Sequence, residues 1–244
     1  MHKKFLAAAL LAALPILASG ADITVSAAAS LTNAFKELAQ SFEAAHKGDK
    51  VLLNFAASDS LVQQIAKGAP VDVFASADQE AMDKAERLKL LAPGTRRDFA
   101  SNTVVLVVPA ASRIASLADL ANAQRLTTGN PASVPIGRYT QEALTKAGLW
   151  AGLQGKFVFG TSVRQSLDYV ARGEADAGFV YATDVQAQKD KVKAVATVPT
   201  ATPVRYPIAV IANAPQPKLA RRFADYAASS TGQAILVKHG FGKP

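Results

Sequence analysis

Short apolar runs of strand length alternate with amphipathic segments of helix length along most of this chain, and that alternation constrains the fold more than any other feature. Ile23 and Val25 alternate with polar residues in a first strand. Leu31, Phe35, Leu38 and Phe42 then recur at spacings of three and four, the apolar stripe of a helix that ends near Lys47-Gly48. A strand over 51–55, a helix over 60–67 stopped by Gly68, a strand over 71–75 and a helix over 78–88 follow. A β-α-β-α-β-α order predicts a parallel sheet covered by helices, because parallel neighbours need a crossover between them. Pro93-Gly94 breaks the series, and 103–108 is an apolar, β-branched run suited to a strand buried on both faces. A second series comes next: a short helix over 117–121, a strand over 125–128, a helix over 137–147, a strand over 157–159, a helix over 164–172 and a strand over 177–181. Another apolar run, 204–212, is interrupted by Pro207, and helices over 218–228 and 232–238 close the chain. Two α/β series joined near Asn102 and again near Tyr206 predict that the chain leaves one lobe, builds a second and returns to finish the first. The cleft between the lobes is then the natural ligand site.

The ends and the composition set the setting. His2, Lys3 and Lys4 precede an apolar segment over 5–18, and small residues around Ser19 and Gly20 offer a cleavage site. This reads as a secretory signal peptide over 1–21, with no other stretch near the ~18 apolar residues of a membrane span. The chain has no cysteine, which rules out a lipid anchor on cysteine, disulfides and thiolate metal sites. Removing Lys3 and Lys4 with the leader lowers the formal net charge from +8 to +6. After the leader the basic residues are scattered, with Arg96-Arg97 and Arg221-Arg222 as the only local pairs, so a nucleic-acid stripe is not expected.

In open parallel sheets, ligands sit beyond the carboxyl ends of the strands, where helices begin. Four such junctions stand out. They are Ala29-Ser30-Leu31; "FAASDSL", with Ser58, Asp59 and Ser60; "NPASVPIGRY", running into a helix at Gly137; and "GTSVRQSL", where Ser162 and Val163 open a helix. Free N–H groups at helix starts carry partial positive charge, and four that converge make an anion site. Ser30, Ser58 and Ser162 are equally explained as helix caps, and a hydroxyl can cap and donate at once.

Ser30 lacks the partners of a nucleophile. His46 lies at the far end of the helix that Ser30 starts, about 24 Å away at 1.5 Å per residue. His239 follows the last helix, where a solvated side chain is expected. There is no G-x-S-x-G elbow, no lysine three residues after a candidate serine, no phosphate loop of the Walker type, no G-x-G-x-x-G and no metal-spaced His/carboxylate cluster. The pair Asp83/Glu86 reads as a solvated helix face. A serine hydrolase is disfavoured, and no catalytic residue is assigned.

Four segments resemble one known family along essentially the whole of the chain after the leader: "AAASLTNAF", "FAASDSLVQQIAKGAPVDVFASAD", "NPASVPIGRYTQEAL" and "GEADAGFVYATD". They are similar to the periplasmic molybdate-binding proteins of bacterial molybdate ABC importers. The resemblance implies an α/β, two-lobed class II periplasmic-binding-protein fold: two α/β domains joined by two crossover segments, with the ligand cleft between them. The expected division is 22–101 plus 209–244 for one lobe and 102–208 for the other. It also implies a set of ligands for a dehydrated tetrahedral oxyanion. Ser30 and Ser58 supply hydroxyl and backbone N–H, Ile136 and Val163 supply backbone N–H, and Tyr181 supplies its phenolic hydroxyl. Tyr181 by itself reads as a core aromatic. The implied cargo is molybdate or tungstate, with no cofactor and no metal cation. The implied partner is the membrane permease of the importer, and a periplasmic monomer is expected.

All five implied ligands donate and none is formally charged, which suits a fully deprotonated dianion. Rejection of sulfate must then rest on cavity size. Asp59 departs from the family's small hydroxyl residue, and its carboxylate is expected to point outward and cap its helix. Ile136 is bulkier than usual there, but only its N–H is needed. Arg138 and Arg164 read as surface charge. The rivals are a receptor for sulfate or another oxyanion, a hydrolase using Ser30, and the effector-binding half of a transcription regulator.

Overall fold

A computed structural model describes residues 20–244; the signal peptide expected over 1–21 lies outside these, apart from its last two residues. Two five-stranded sheets organise the chain. The first carries β1 (Asp22–Ala28), β2 (Lys50–Ala56), β3 (Val73–Ala75), β4 (Arg97–Asn102) and β10 (Val204–Val210), in the order β2-β1-β3-β10-β4. The second carries β5 (Val104–Pro109), β6 (Leu126–Gly129), β7 (Phe157–Gly160), β8 (Ala177–Tyr181) and β9 (Val192–Val198), in the order β7-β6-β8-β5-β9. Helices α1 (Thr32–Ala45), α2 (Ser58–Ala66), α3 (Gln79–Arg87), α8 (Pro217–Ala228) and α9 (Ser230–Lys238) cover the first sheet. Helices α4 (Pro135–Lys146), α5 (Trp150–Leu153), α6 (Val163–Ala171) and α7 (Ala182–Val185) belong with the second.

The predicted parallel sheets are in fact mixed. β1, β2 and β3 run parallel, as do β6, β7 and β8, but β10 runs antiparallel to β3 and β4, and β5 runs antiparallel to β8 and β9. The antiparallel members arise at the crossovers. The chain passes from β4 to β5 through Thr103 and from β9 back to β10 over 199–203, each time entering the other sheet. Both entering strands are buried on both faces, so their composition looks the same whichever way they run. Pro207 sits at a register shift between β10 and β4, the kind of irregularity where a residue without an N–H is tolerated.

The apolar stripe of the first helix packs as its spacing predicts: Leu31, Phe35, Leu38 and Phe42 are all fully buried. Phe223 from α8 meets Phe35 and Phe42 edge-on, with ring centroids 6.1 and 5.3 Å apart, and Phe35 meets Phe99 of β4 at 5.7 Å. The C-terminal helices thus close the lobe that the N-terminal strand begins. His46 stacks on Phe42 at 4.1 Å, and His239 is half-buried beside Glu37, 2.8 Å from its carboxylate, rather than solvated. Asp83 and Glu86 are not merely solvated either, since both pair with Arg96, at 2.6 and 2.5 Å.

Phe223 is fully buried against two rings of α1, far from it in sequence, so its loss leaves a cavity that α1 cannot easily fill. Phe223→Ala should lower unfolding free energy by about 3–5 kcal/mol, measured by urea denaturation, with the denaturant slope little changed.

Candidate functional site

The edge at which β1, β2, β6, β7 and β8 end faces the seam between the lobes, and the helix starts meet there. Ser30 lies in a 3-10 turn, Ala29–Leu31, directly after β1. Ser58 is the first residue of α2, Ile136 the second of α4 and Val163 the first of α6, and Tyr181 ends β8. The first N–H groups of a helix have no intrahelical partner, so Ser58, Ile136 and Val163 present backbone donors. All five residues named from the sequence line one cavity, Ser30 and Ser58 from the first lobe and Ile136, Val163 and Tyr181 from the second.

Why α4 starts where it does is a matter of close packing. A Cβ on Gly137 would come within 2.1 Å of the carbonyl oxygen of Gly129, so only glycine allows α4 to seat its N-terminus against the end of β6. Pro135 opens this helix two residues before the expected start at Gly137, in the first-turn position that its fixed φ suits. Alanines at 28, 29, 56, 57 and 77 keep the first-lobe wall thin. The cavity has a volume of about 10 Å3, room for about one water-sized group with the lobes as they stand.

The capping alternative separates the serines. Ser162 caps α6, its hydroxyl accepting from the Gln165 N–H at 3.2 Å. Ser30 and Ser58 cap nothing: Ser58 Oγ accepts from the Ala77 N–H at 3.0 Å, and Ser30 Oγ lies 3.0 Å from the Tyr206 hydroxyl. Tyr181 is fully buried, and its hydroxyl has no hydrogen-bond partner among the described residues. Such an orphan is rare and costs about 1–3 kcal/mol, so it points to a ligand. Burial pushes the Tyr181 phenol well above its ordinary pKa, which keeps the proton on the oxygen and makes it a donor.

Among the described residues no formally charged side chain lines the cavity, but charge is concentrated just outside it. Asp59 neither faces solvent nor caps α2. It is buried, and its Oδ2 accepts from Arg138 Nη2 at 2.7 Å, with Lys84 Nζ 3.5 Å from Oδ1. Arg138, one turn into α4 on the other lobe, also donates to Asp78 Oδ2 from Nε and Nη2, at 2.9 and 2.6 Å. Arg138 is therefore an ion-pair bridge between lobes and not surface charge. Burial opposes its charge, but the two aspartates outweigh that and hold it protonated. Burial likewise pushes Asp78 upward against the pull of Arg138. Sequence reasoning missed the bridge because Asp59, Asp78 and Arg138 lie on different elements and meet only when the lobes do.

Arg164 is likewise engaged. Its Nε lies 2.7 Å from Oδ1 of the fully buried Asp184, whose Oδ2 accepts from the Tyr181 N–H at 3.3 Å. Asp184 thus ties the residue after Val163 to the backbone of Tyr181 and helps to hold both against the cavity. Among the described residues, no group of three or more His, Cys, Asp or Glu could hold a metal ion.

Two α/β lobes, joined by two short crossovers and meeting on a small donor-lined cavity, define a solute-binding protein. A family model for bacterial extracellular solute-binding proteins matches residues 23–242. The chain is 40% identical over 235 residues to molybdate-binding protein ModA of Escherichia coli (strain K12), covering 92% of this chain and 90% of that protein. It is 35% identical over 234 residues to the molybdate-binding protein ModA of Haemophilus influenzae, covering 92% and 91%. Among solved structures, the periplasmic molybdate-binding protein of Azotobacter vinelandii matches with a TM-score of 0.80 at 25% identity, covering 91% of this chain and 99% of that one. The chain belongs to the family of bacterial extracellular solute-binding proteins.

Asp184 gives this site a testable pH signature. Burial pushes its carboxyl up to about 6, against the pull of Arg164 and the Tyr181 N–H. A folded value above the unfolded one means that the folded protein binds the proton more tightly. Its contribution to stability therefore grows as pH falls from above about 6 toward the ordinary carboxylate range. Asp184→Asn cannot titrate. Lowering the pH from 7.5 to 4.5 should shift the stability difference by about 2 kcal/mol in favour of the wild type, read by urea unfolding at the two pH values.

Proposed function

We propose that this protein captures molybdate, with tungstate as an alternative cargo, in the periplasm and delivers it to the membrane permease of an ABC importer. On this reading the oxyanion is held by the hydroxyls and backbone N–H groups of Ser30 and Ser58, the N–H groups of Ile136 and Val163, and the hydroxyl of Tyr181. The lobes 22–101 with 209–244 and 102–208 close on the anion as a monomer, and no cofactor takes part. The observation that carries the reading is a cavity lined by donors from both lobes, with no charged side chain in its wall and a buried phenol left unpartnered among the described residues. The molybdate-binding relatives support the choice of anion.

Neutral donors stabilise a buried dianion without fixing it permanently. Hydrogen bonds to a charged group contribute about 1.5–3 kcal/mol each, so five residues suffice for tight capture, and opening the lobes restores water to compete. Asp59 stands beside Ser58, but Arg138 neutralises it and it does not line the cavity. A protonated oxyanion such as hydrogen phosphate therefore meets donors with no acceptor for its proton. Sulfate carries the same charge as molybdate and no proton, so its exclusion rests on its smaller size.

Calorimetric titration of the purified protein with molybdate, tungstate, sulfate and phosphate tests the reading. Molybdate and tungstate should bind, with affinity nearly flat from about pH 6 to 8, and millimolar phosphate should fail to compete. Ser30→Ala and Ser58→Ala should each weaken molybdate binding by roughly 10- to 100-fold. Tyr181→Phe should weaken binding while leaving the melting temperature of the unliganded protein in place. Unchanged affinity in all three variants would remove these residues from the site.

A further inference from the structure

Ser30 and Ser58 each touch the rest of the protein through a hydroxyl oxygen, and the partner decides where the proton points. The partner of Ser58 is the backbone N–H of Ala77, which only donates; Ser58 Oγ accepts there, and its own proton is left for the cavity. The partner of Ser30 is the Tyr206 hydroxyl at 3.0 Å, and two hydroxyls alone leave the direction open.

Asn102 closes it. Its Oδ1 accepts from the Thr103 N–H at 2.9 Å, which fixes the orientation of the amide. Nδ2 therefore faces Thr183 Oγ1 at 2.8 Å and the Tyr206 hydroxyl at 3.2 Å. An amide nitrogen only donates, so the Tyr206 oxygen accepts from Asn102 and its own proton goes to Ser30. Ser30 then accepts from Tyr206 and has its proton free for the cavity. The bonds run one way, from Asn102 through Tyr206 to Ser30. Tyr206 is fully buried in β10 and does not line the cavity, and Asn102 ends β4 at the crossover between lobes.

Resting on the molybdate reading above, we propose that Asn102 and Tyr206 are positioning residues that determine specificity: they aim the Ser30 proton into the cavity and so select oxyanions that present a bare oxygen there. With Ser58 aimed by Ala77 and Tyr181 kept protonated, a ligand hydroxyl finds donors on every side. Without the Tyr206 proton, Ser30 is free to turn and offer a lone pair.

The test uses molybdate and arsenate, because arsenate keeps a proton near neutral pH and is larger than phosphate. Affinities come from calorimetry and from competition by millimolar arsenate, at about pH 8, for the wild type, Tyr206→Phe and Asn102→Asp. In Asn102→Asp a carboxylate oxygen replaces the amide nitrogen, so Tyr206 donates to it and no longer to Ser30. The added charge weakens both anions alike and cancels in the ratio of their affinities. The molybdate-to-arsenate ratio should fall by roughly tenfold or more in both variants, the worth of about one hydrogen bond. A ratio within twofold of the wild type in either folded variant, even with weaker molybdate binding, overturns the proposal and leaves the two residues as packing. Failure of the wild type to bind molybdate overturns the functional reading itself, and this proposal with it.

Discussion

Convergence of unpaired backbone donors on one small cavity is the constraint on which the rest of the structure depends. A helix start offers N–H groups in only one direction, and one helix covers only one side of an anion. Ser58 from α2 and Val163 from α6 therefore have to face each other across a seam, with Ser30 and Ile136 filling in the remaining sides. That requires the helix-starting edges of two sheets to face each other. A chain that passes once between lobes makes a single tether, whereas the two crossovers at Thr103 and over 199–203 hold the lobes in register. Completion of the first sheet by β10, and the docking of α8 through Phe223, are the structural cost of that second crossing.

Charge is handled by keeping it paired and out of the cavity wall. A free carboxylate at Asp59 would repel any anion bound beside Ser58. Arg138 reaches across from the second lobe to occupy it, together with Asp78. Asp184 is fully buried, yet Arg164 and the Tyr181 N–H meet its two oxygens. Both clusters sit next to residues that line the cavity, so the same contacts that neutralise charge also hold the donors still. Exposed ion pairs such as Arg97 with Asp225 contribute little by comparison, because water screens them.

Much of the fold is legible in the residues, for reasons that can be traced. The stripe of Leu31, Phe35, Leu38 and Phe42 identifies α1 because a helix with one buried face must repeat at 3.6 residues. β4 and β9 escape a reading by apolar run because polar residues such as Arg97, Asp98 and Lys193 interrupt them, which an edge strand tolerates. The direction of β5 and β10 escapes it because a strand buried on both faces has no sidedness to report. Asp59, Arg138 and Arg164 look like surface charge for a related reason: an ion pair between distant elements leaves no local pattern.

The sequence by itself determined the strand and helix alternation, the four helix starts with their small residues, and the absence of the histidine partner that a serine nucleophile needs. These are local properties, written in spacing and composition. The tertiary structure alone decided that the five candidate residues share a cavity, that Arg138 bridges the lobes, and that Tyr181 is left without a partner among the described residues while Tyr206 is not. Each of these depends on which atoms lie within 3 Å or so after two lobes have packed. Hydrogen bonds and ion pairs fall off over ångströms, while sequence spacing fixes position only within an element.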